Sequence, residues 1–229
     1  MVAGMQDSAT AASPFTEAGF RLATARALYA EPPPAPPGLE PLGGPVPAPS
    51  DFDLNPDAVA WRTDQPPRPA AVLVPVVRRL PLTVLLTQRT DSLPSHAGQI
   101  AFPGGKIEED DRDPIAAALR EAKEEIGLDP RLVEPLGYLD AYRTGTGYRI
   151  FPVVALVHPG FELTLDAREV ADAFEVPLSF LMDVRNHQTH DRVLRGIKRR
   201  FYAMPFEERF IWGATAGIMK NMHQRLFPA

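Results

Sequence analysis

The chain has 229 residues, 45% of them hydrophobic and 23% charged, which supplies one core of generous size and excludes wholesale disorder. Its formal net charge of −5 argues against a general nucleic-acid binder, and the absence of cysteine excludes disulfides, thiolate metal sites and thiol nucleophiles together. Any chemistry must run on oxygen and nitrogen groups.

The first residues carry an acid at Asp7 and no apolar run of the kind that opens a secretory signal. Ala70 to Val77, the longest apolar stretch, is interrupted by Pro75 and too short to cross a bilayer. The expectation is a soluble, cytoplasmic protein with no membrane partner. Pro14 to Ala30 predicts one short helix, with Phe20, Leu22, Ala25 and Leu28 as its apolar residues. Of the 26 prolines, thirteen fall in residues 31–70, a composition that disfavours ladders and reads as a linker or a strap along the domain. The chain thus divides into an N-terminal extension with a proline-rich arm, 1–67, and a domain over 68–229.

From Ala70 the texture changes. AAVLVPVV and LTVLLTQR predict two strands joined across Arg78 to Pro81, and Pro114 to Ile126 predicts a helix. Further strands are expected at Val133–Asp140, Tyr148–Val157, Phe161–Leu165, Phe174–Leu181 and about Lys198–Ala203, with a closing amphipathic helix over Phe210–Leu226. That order predicts a mixed sheet with helices packed on it, α/β or α+β.

The helix is well punctuated. Asp113 can cap it, Pro114 suits the first helical position and Gly127 suits the stop. At about 100° per residue, Ile115, Ala118, Leu119, Ala122 and Ile126 form a core-facing stripe, while Glu121, Glu124 and Glu125 share another face within one turn. Two readings follow: a solvated acidic face, with Arg120 relieving Glu124, or a site where hard divalent cations neutralise the cluster and leave coordination free for a phosphate.

With FPGGKIEEDDRDPIAAALREAKEEIGL in view, the chain resembles the Nudix hydrolase family, whose signature is G-x5-E-x7-R-E-U-x-E-E-x-G-U with U a bulky aliphatic. Gly105, Arg120, Glu121, Glu124, Glu125, Gly127 and Leu128 match. Asp111 stands at the first acid, one extra residue separates it from Arg120, and Ala122 takes an aliphatic position. Upstream, LLTQRTDSLPSHAGQIAFPGG resembles the extra motif of the coenzyme A pyrophosphatase branch, matching at Leu85, Leu86, Thr87, Arg89, Gly98 and Phe102 to Gly105, with Thr90 for Ser/Ala and Pro94 for Arg. REVADAFEVPLSFL and IWGATAGI resemble later segments of that branch.

The resemblance implies a Nudix-type α/β/α sandwich, a mixed sheet flanked by helices. It implies metal-dependent hydrolysis, with Mg²⁺ or Mn²⁺, of a nucleoside diphosphate linked to another moiety: for coenzyme A, release of 3′,5′-ADP and 4′-phosphopantetheine. Glu121, Glu125 and Glu124, with the Gly105 carbonyl, are the implied metal ligands. Glu124, Arg120 and Glu169 are the implied catalytic residues, with Asp166, Asp172 and Glu175 as alternatives to Glu169 for the general base. Arg89, His96, Gly98, Phe102 and Gly104 are the expected substrate contacts, Gln99 lying close by. Arg192, Arg195, Lys198, Arg199 and Arg200 could hold a 3′-phosphate or form a solvated basic face. Trp212 and Tyr202 could stack on adenine or simply pack. The partner is a small coenzyme A-like nucleotide and the assembly a monomer or homodimer. Two rivals stand beside this reading: a Nudix hydrolase for ADP-ribose or NADH, and a Nudix-fold binding module without turnover.

Overall fold

A computed structural model describes residues 13–33, 49–55, 66–93, 96–194 and 197–227. The rest of the proline-rich arm, Pro94 and Arg195 lie outside the described residues.

The domain is organised by two long parallel strands, β1 (Arg68–Val77) and β7 (Tyr148–Val157), paired along their whole length from Arg68↔Tyr148 to Val77↔Val157. Period-two alternation decides what each face meets. Ala71, Leu73 and Val77 of β1, with Val153, Ala155 and Val157 of β7, face helix α2 (Pro114–Ile126). Val74, Val76, Val154 and Leu156 point the other way, toward helices α1 (Glu17–Ala27), α3 (Leu178–Met182) and α4 (Ala214–Leu226). The sheet is thus buried on both sides, as the unbroken apolar runs of β1 and β7 require. The expected α/β/α sandwich with a mixed sheet is what the chain forms.

β2 (Thr83–Arg89) pairs antiparallel with the end of β1 at Val76↔Val84, then diverges from it. Into the split come two short strands, β3 (Ile100–Ala101) on β2 and β4 (Gly104–Lys106) on β1. β5 (Val133–Tyr138) and β6 (Tyr142–Arg143) pair with β7, and β8 (Val170–Pro177) with the far edge of β2. A second, antiparallel sheet is formed by β9 (Gln188–Leu194), β10 (Ile197–Phe206) and β11 (Arg209–Trp212).

Three sequence expectations change. Phe161–Leu165 keeps the alternation, its odd residues packing beside α2, but it is not a ladder strand: Thr164 N–H donates to Ile126 O at 3.0 Å and Asp166 N–H to Glu125 O at 2.9 Å. The last carbonyls of α2, which no helical partner satisfies, take the place of a neighbouring strand. Phe174–Leu181 divides into the end of β8 and the short α3, and Phe210–Leu226 into β11 and α4, with Gly213 at φ +66 between them. β9 has no signal in QTHDRVL, a charged outer strand held by its pairing with β10.

The N-terminal segment is built into the body. Phe20 of α1 is 1% exposed within the core, and Arg21 forks onto Glu134 at 2.6 and 2.7 Å. Tyr29 pairs with Tyr138 as a bridge, and Arg225 of α4 donates to Ala27 O at 2.7 Å. Residues 49–55 form a strap over both sheets. Asp51, partly buried, accepts from Tyr142 Oη at 2.9 Å and Gly145 N at 2.7 Å. Asn55 meets Arg200 N and O at 2.8 and 2.7 Å, covering the edge of β10 that β11 is too short to reach.

Candidate active site

α2 begins where Asp113 accepts from Ala116 N at 2.7 Å and stops at Gly127, φ +69, whose N–H returns to Lys123 O at 3.0 Å. Its inner stripe of Ala117, Ala118, Ala122 and Ile126 is fully buried, and that fixes the rotation of its acidic face toward the loop between β3 and α2.

Arg120 organises this loop. Its guanidinium reaches Asp111 Oδ1 and Oδ2 at 3.1 and 2.9 Å, Glu121 at 3.1 Å, Glu124 at 3.1 Å and the Lys106 carbonyl at 3.1 Å. Asp111 is therefore tied to the arginine, which holds its carboxyl below the usual range. Arg120→Lys keeps the charge and loses the planar fork; the expected cost is about 1–2 kcal/mol. A lowered urea midpoint at pH 7 in EDTA would show it, and an unchanged midpoint would mean that loop and helix do not depend on the fork.

Glu125 sits deepest, 6% exposed, with Oε2 accepting from Gly104 N at 3.1 Å. Burial pushes its carboxyl up to about 7, the Gly104 N–H and Arg89 opposing and the charges of Glu121 and Glu169 adding to the rise. Glu121 is raised as well, first by burial. Gly105 lies flat against it: a Cβ there would come 2.5 Å from Glu121 Cδ. Glu121, Glu124, Glu125, Asp166, Arg168 and Glu169 line one cavity of about 270 Å³.

The four candidates for a further acid separate by their partners. Asp166 accepts from Arg168 N at 3.0 Å and from its guanidinium at 2.6 Å, which pulls it down to about 2. Asp172 pairs with Arg209 at 2.6 Å, and Glu175 is held by Arg79 and Thr83. Among the described residues, Glu169 alone of the four has no hydrogen-bonded cation. The D-x-R turn that ties up Asp166 recurs at Asp129–Arg131 and Asp183–Arg185, with the same N–H and guanidinium contacts. It is an Asx turn readable in sequence, and the signal that Asp166 is not free.

Arg89 ends β2 beside Glu125; its N–H donates to Gln99 O at 2.9 Å, drawing the Gly98 loop to the cavity's side. Gly98, φ +66, would place a Cβ 2.8 Å from Asp91. His96 is exposed at φ +60, its Nδ1 2.7 Å from Gln99 Oε1. Phe102 is 4% exposed, its side chain packed in the core. The basic run divides: Lys198 and Arg200 pair with Asp191, both at 2.9 Å, and Arg199 lies by Asp51. Tyr202 packs on the core under Lys220, and Trp212 packs against Phe201 with centroids 5.0 Å apart. Sequence reasoning missed Arg168 in the cavity lining and Arg209 beneath it.

A family model described as the NUDIX domain matches residues 67–196. The chain belongs to the Nudix family. A protein named "Uncharacterized Nudix hydrolase NudL" from Citrobacter koseri is 43% identical over 155 residues, 68% of this chain and 81% of that one. Its namesake from Escherichia coli K12 is 42% identical over the same shares. Among solved structures, the C. elegans Ap4A hydrolase binary complex overlaps with a TM-score of 0.40 at 22% identity, covering 48% of this chain and 80% of that one. As a Nudix hydrolase the protein acts on a nucleoside diphosphate derivative, and Nudix hydrolases generally use divalent ions such as Mg²⁺ or Mn²⁺. Among the described residues no three His, Asp or Glu side chains stand as a ready-made cage, Arg120 drawing Glu121 and Glu124 toward itself. The donor chemistry nevertheless fits a hard divalent ion: carboxylates gather in one cavity, and the deepest is raised by burial, with the charges of Glu121 and Glu169 adding to it. No helix among the described residues is long and apolar enough to cross a membrane.

Proposed function

We propose that this Nudix hydrolase cleaves the pyrophosphate bond of coenzyme A or its derivatives, releasing 3′,5′-ADP and 4′-phosphopantetheine or its acylated form. The observation that carries hydrolysis is the raised Glu125 carboxyl among Glu121, Glu124 and Glu169 in one cavity. The choice of coenzyme A is supported by the segment from Leu85 to Gly105, which carries the branch motif and frames the same cavity through Arg89, the Gly98 loop and Gly104.

Glu121 and Glu125, joined by Glu124 and the Gly105 carbonyl, would hold Mg²⁺ or Mn²⁺. An ion there supplies charge neutralisation for the diphosphate and acidifies the attacking water. Glu169, with no hydrogen-bonded cation among the described residues, lines the cavity and accepts the water's proton as the water oxygen bonds to phosphorus and the anhydride P–O bond breaks. Arg89 meets a phosphate oxygen, with its guanidinium suited to a bidentate approach. Arg120 keeps Glu121 and Glu124 on the loop side of the helix. The protein works in the cytoplasm on this small nucleotide, as a monomer or homodimer.

The test is mass spectrometry of products after incubation with Mg²⁺ or Mn²⁺ and coenzyme A, ADP-ribose and NADH in parallel. The expected result is 3′,5′-ADP from coenzyme A well ahead of the others. Preferential AMP from ADP-ribose or NADH would overturn the substrate and leave the chemistry. Silence on all three with metal bound would favour a binding module.

A further inference from the structure

Arg89, at the end of β2, and Glu169, in the turn just before β8, enter the cavity region at an irregular point of the β2–β8 pairing. β2 and β8 are in regular antiparallel register from Thr83↔Pro177 to Gln88↔Asp172; the next pair is Arg89↔Val170, so one residue of β8 is skipped between Gln88 and Arg89. Such a bulge increases local twist and re-aims the side chains beyond it. Beyond it the ends are stitched by Thr90, whose N–H donates to Glu169 O at 3.0 Å and whose hydroxyl donates to Arg168 O at 3.2 Å.

The last regular rung before the bulge is gripped from the other sheet. Arg209, the first residue of β11, donates through Nη1 to Gln88 Oε1 at 3.0 Å and through Nη2 to Asp172 Oδ2 at 2.6 Å. Its guanidinium lies 3.8 Å from the centroid of Phe174, which pairs with Leu86 one same-face position earlier. One planar group thus holds both members of the rung and stacks on the ring beneath, a geometry that the five donors of arginine allow and an ammonium does not. Gln88 and Asp172 face away from α2, so Arg209 works from the opposite side of the sheet to the carboxylate cavity.

We propose that Arg209 is a positioning residue for hydrolysis: by clamping the Gln88–Asp172 rung it fixes the bulge at which Arg89 and Glu169 turn toward the cavity. The inference rests on the reading of Glu169 as the group that takes the proton. Arg209→Met lowers kcat about ten- to a hundredfold, the order lost when a reacting group is slightly misplaced. Arg209→Lys recovers little of it.

The test is a double-mutant cycle of Arg209→Met with Glu169→Gln, reading kcat and KM on whichever of coenzyme A, ADP-ribose and NADH is turned over fastest. Melting temperatures are followed alongside. The expected result is that Arg209→Met slows the Glu169→Gln enzyme several-fold less than it slows the wild type, the remainder being the loss through Arg89; a general loss of stability would slow both equally. Losses that multiply, or an Arg209→Met enzyme with wild-type kcat, would overturn the clamp and leave Glu169 standing. A Glu169→Gln enzyme with wild-type kcat would remove the base, and the clamp with it. Should Arg209→Met not fold, Gln88→Leu removes one acceptor and leaves the stacked guanidinium; it is expected to lower kcat in the same non-additive way, and full activity would overturn the proposal.

Discussion

Replacing Glu125 by Gln should cut pyrophosphate hydrolysis by about a hundred- to a thousandfold, the order lost when one group that stabilises the transition state is removed. The same change should make the metal-free protein harder to unfold at pH 8. Both effects come from burial. Folding takes the Glu125 carboxyl from its ordinary value of 4.5 up to about 7. The folded chain therefore holds a proton that the unfolded chain has released between those values, and stability falls as pH rises through that window. The loss is about 3 kcal/mol once pH exceeds 7. Gln carries no charge at any pH, can still accept from Gly104 N, and can direct its amide toward Glu121 and Glu169. In EDTA the melting temperature of the wild type should fall from pH 5 to 8 while that of Glu125→Gln falls less, the two separating by about 5–10 °C at pH 8. Mg²⁺ should then raise the wild type and leave the variant almost unmoved. A variant less stable than the wild type in EDTA at pH 8 would show that Glu125 is not an uncompensated charge.

The adjacent glycines should fail in opposite ways. At Gly104, φ is +154 and a Cβ would lie 2.6 Å from Val72 Cα and 2.9 Å from Val72 Cγ1. Those atoms belong to the central strand and cannot retreat, so β4 must leave β1. Gly104→Ala should cost about 3 kcal/mol or more and show first as a lower melting temperature. At Gly105 the backbone is unstrained, and the obstacle is the carboxyl end of Glu121, 2.8 Å away at Oε2. A flexible side chain can swing aside. Gly105→Ala should therefore stay within about 1 kcal/mol of the wild type yet lose about a hundredfold in kcat, because Glu121 is displaced from the cavity. Thermal melts and steady-state rates on the two variants decide this. An active but unstable Gly105→Ala would reverse the roles.

What was legible in the sequence was local. α2 could be read to the residue, since its cap, its stripe and its stop all lie within fifteen positions, and the acidic face follows from the stripe. β1 and β7 were legible as apolar runs because both of their faces are covered. The alternation of Phe161–Leu165 correctly gave its inward residues but could not say that helix-end carbonyls, not a strand, meet its backbone. β9 was invisible because its exposed, charged residues carry no pattern, and only its partner holds it extended. Arg209 could not be found at all: its acceptors stand 121 and 37 residues away, and nothing in RFIW distinguishes it from any other arginine.

The order in which the chain leaves the ribosome gives the α1 contacts a further meaning. The Arg225–Ala27 contact joins residues 198 apart, and Phe20 packs in the same core cluster as residues of α4. α1 leaves the ribosome well before α4, which supplies several of its seating partners. Until α4 emerges, Phe20 has only part of its pocket, and an eleven-residue helix has little stability of its own in water. Docking of α1 is thus a late event in biosynthesis, when sequence separation has made loop closure most costly. A chain stalled before residue 214 would leave Phe20 without its α4 neighbours.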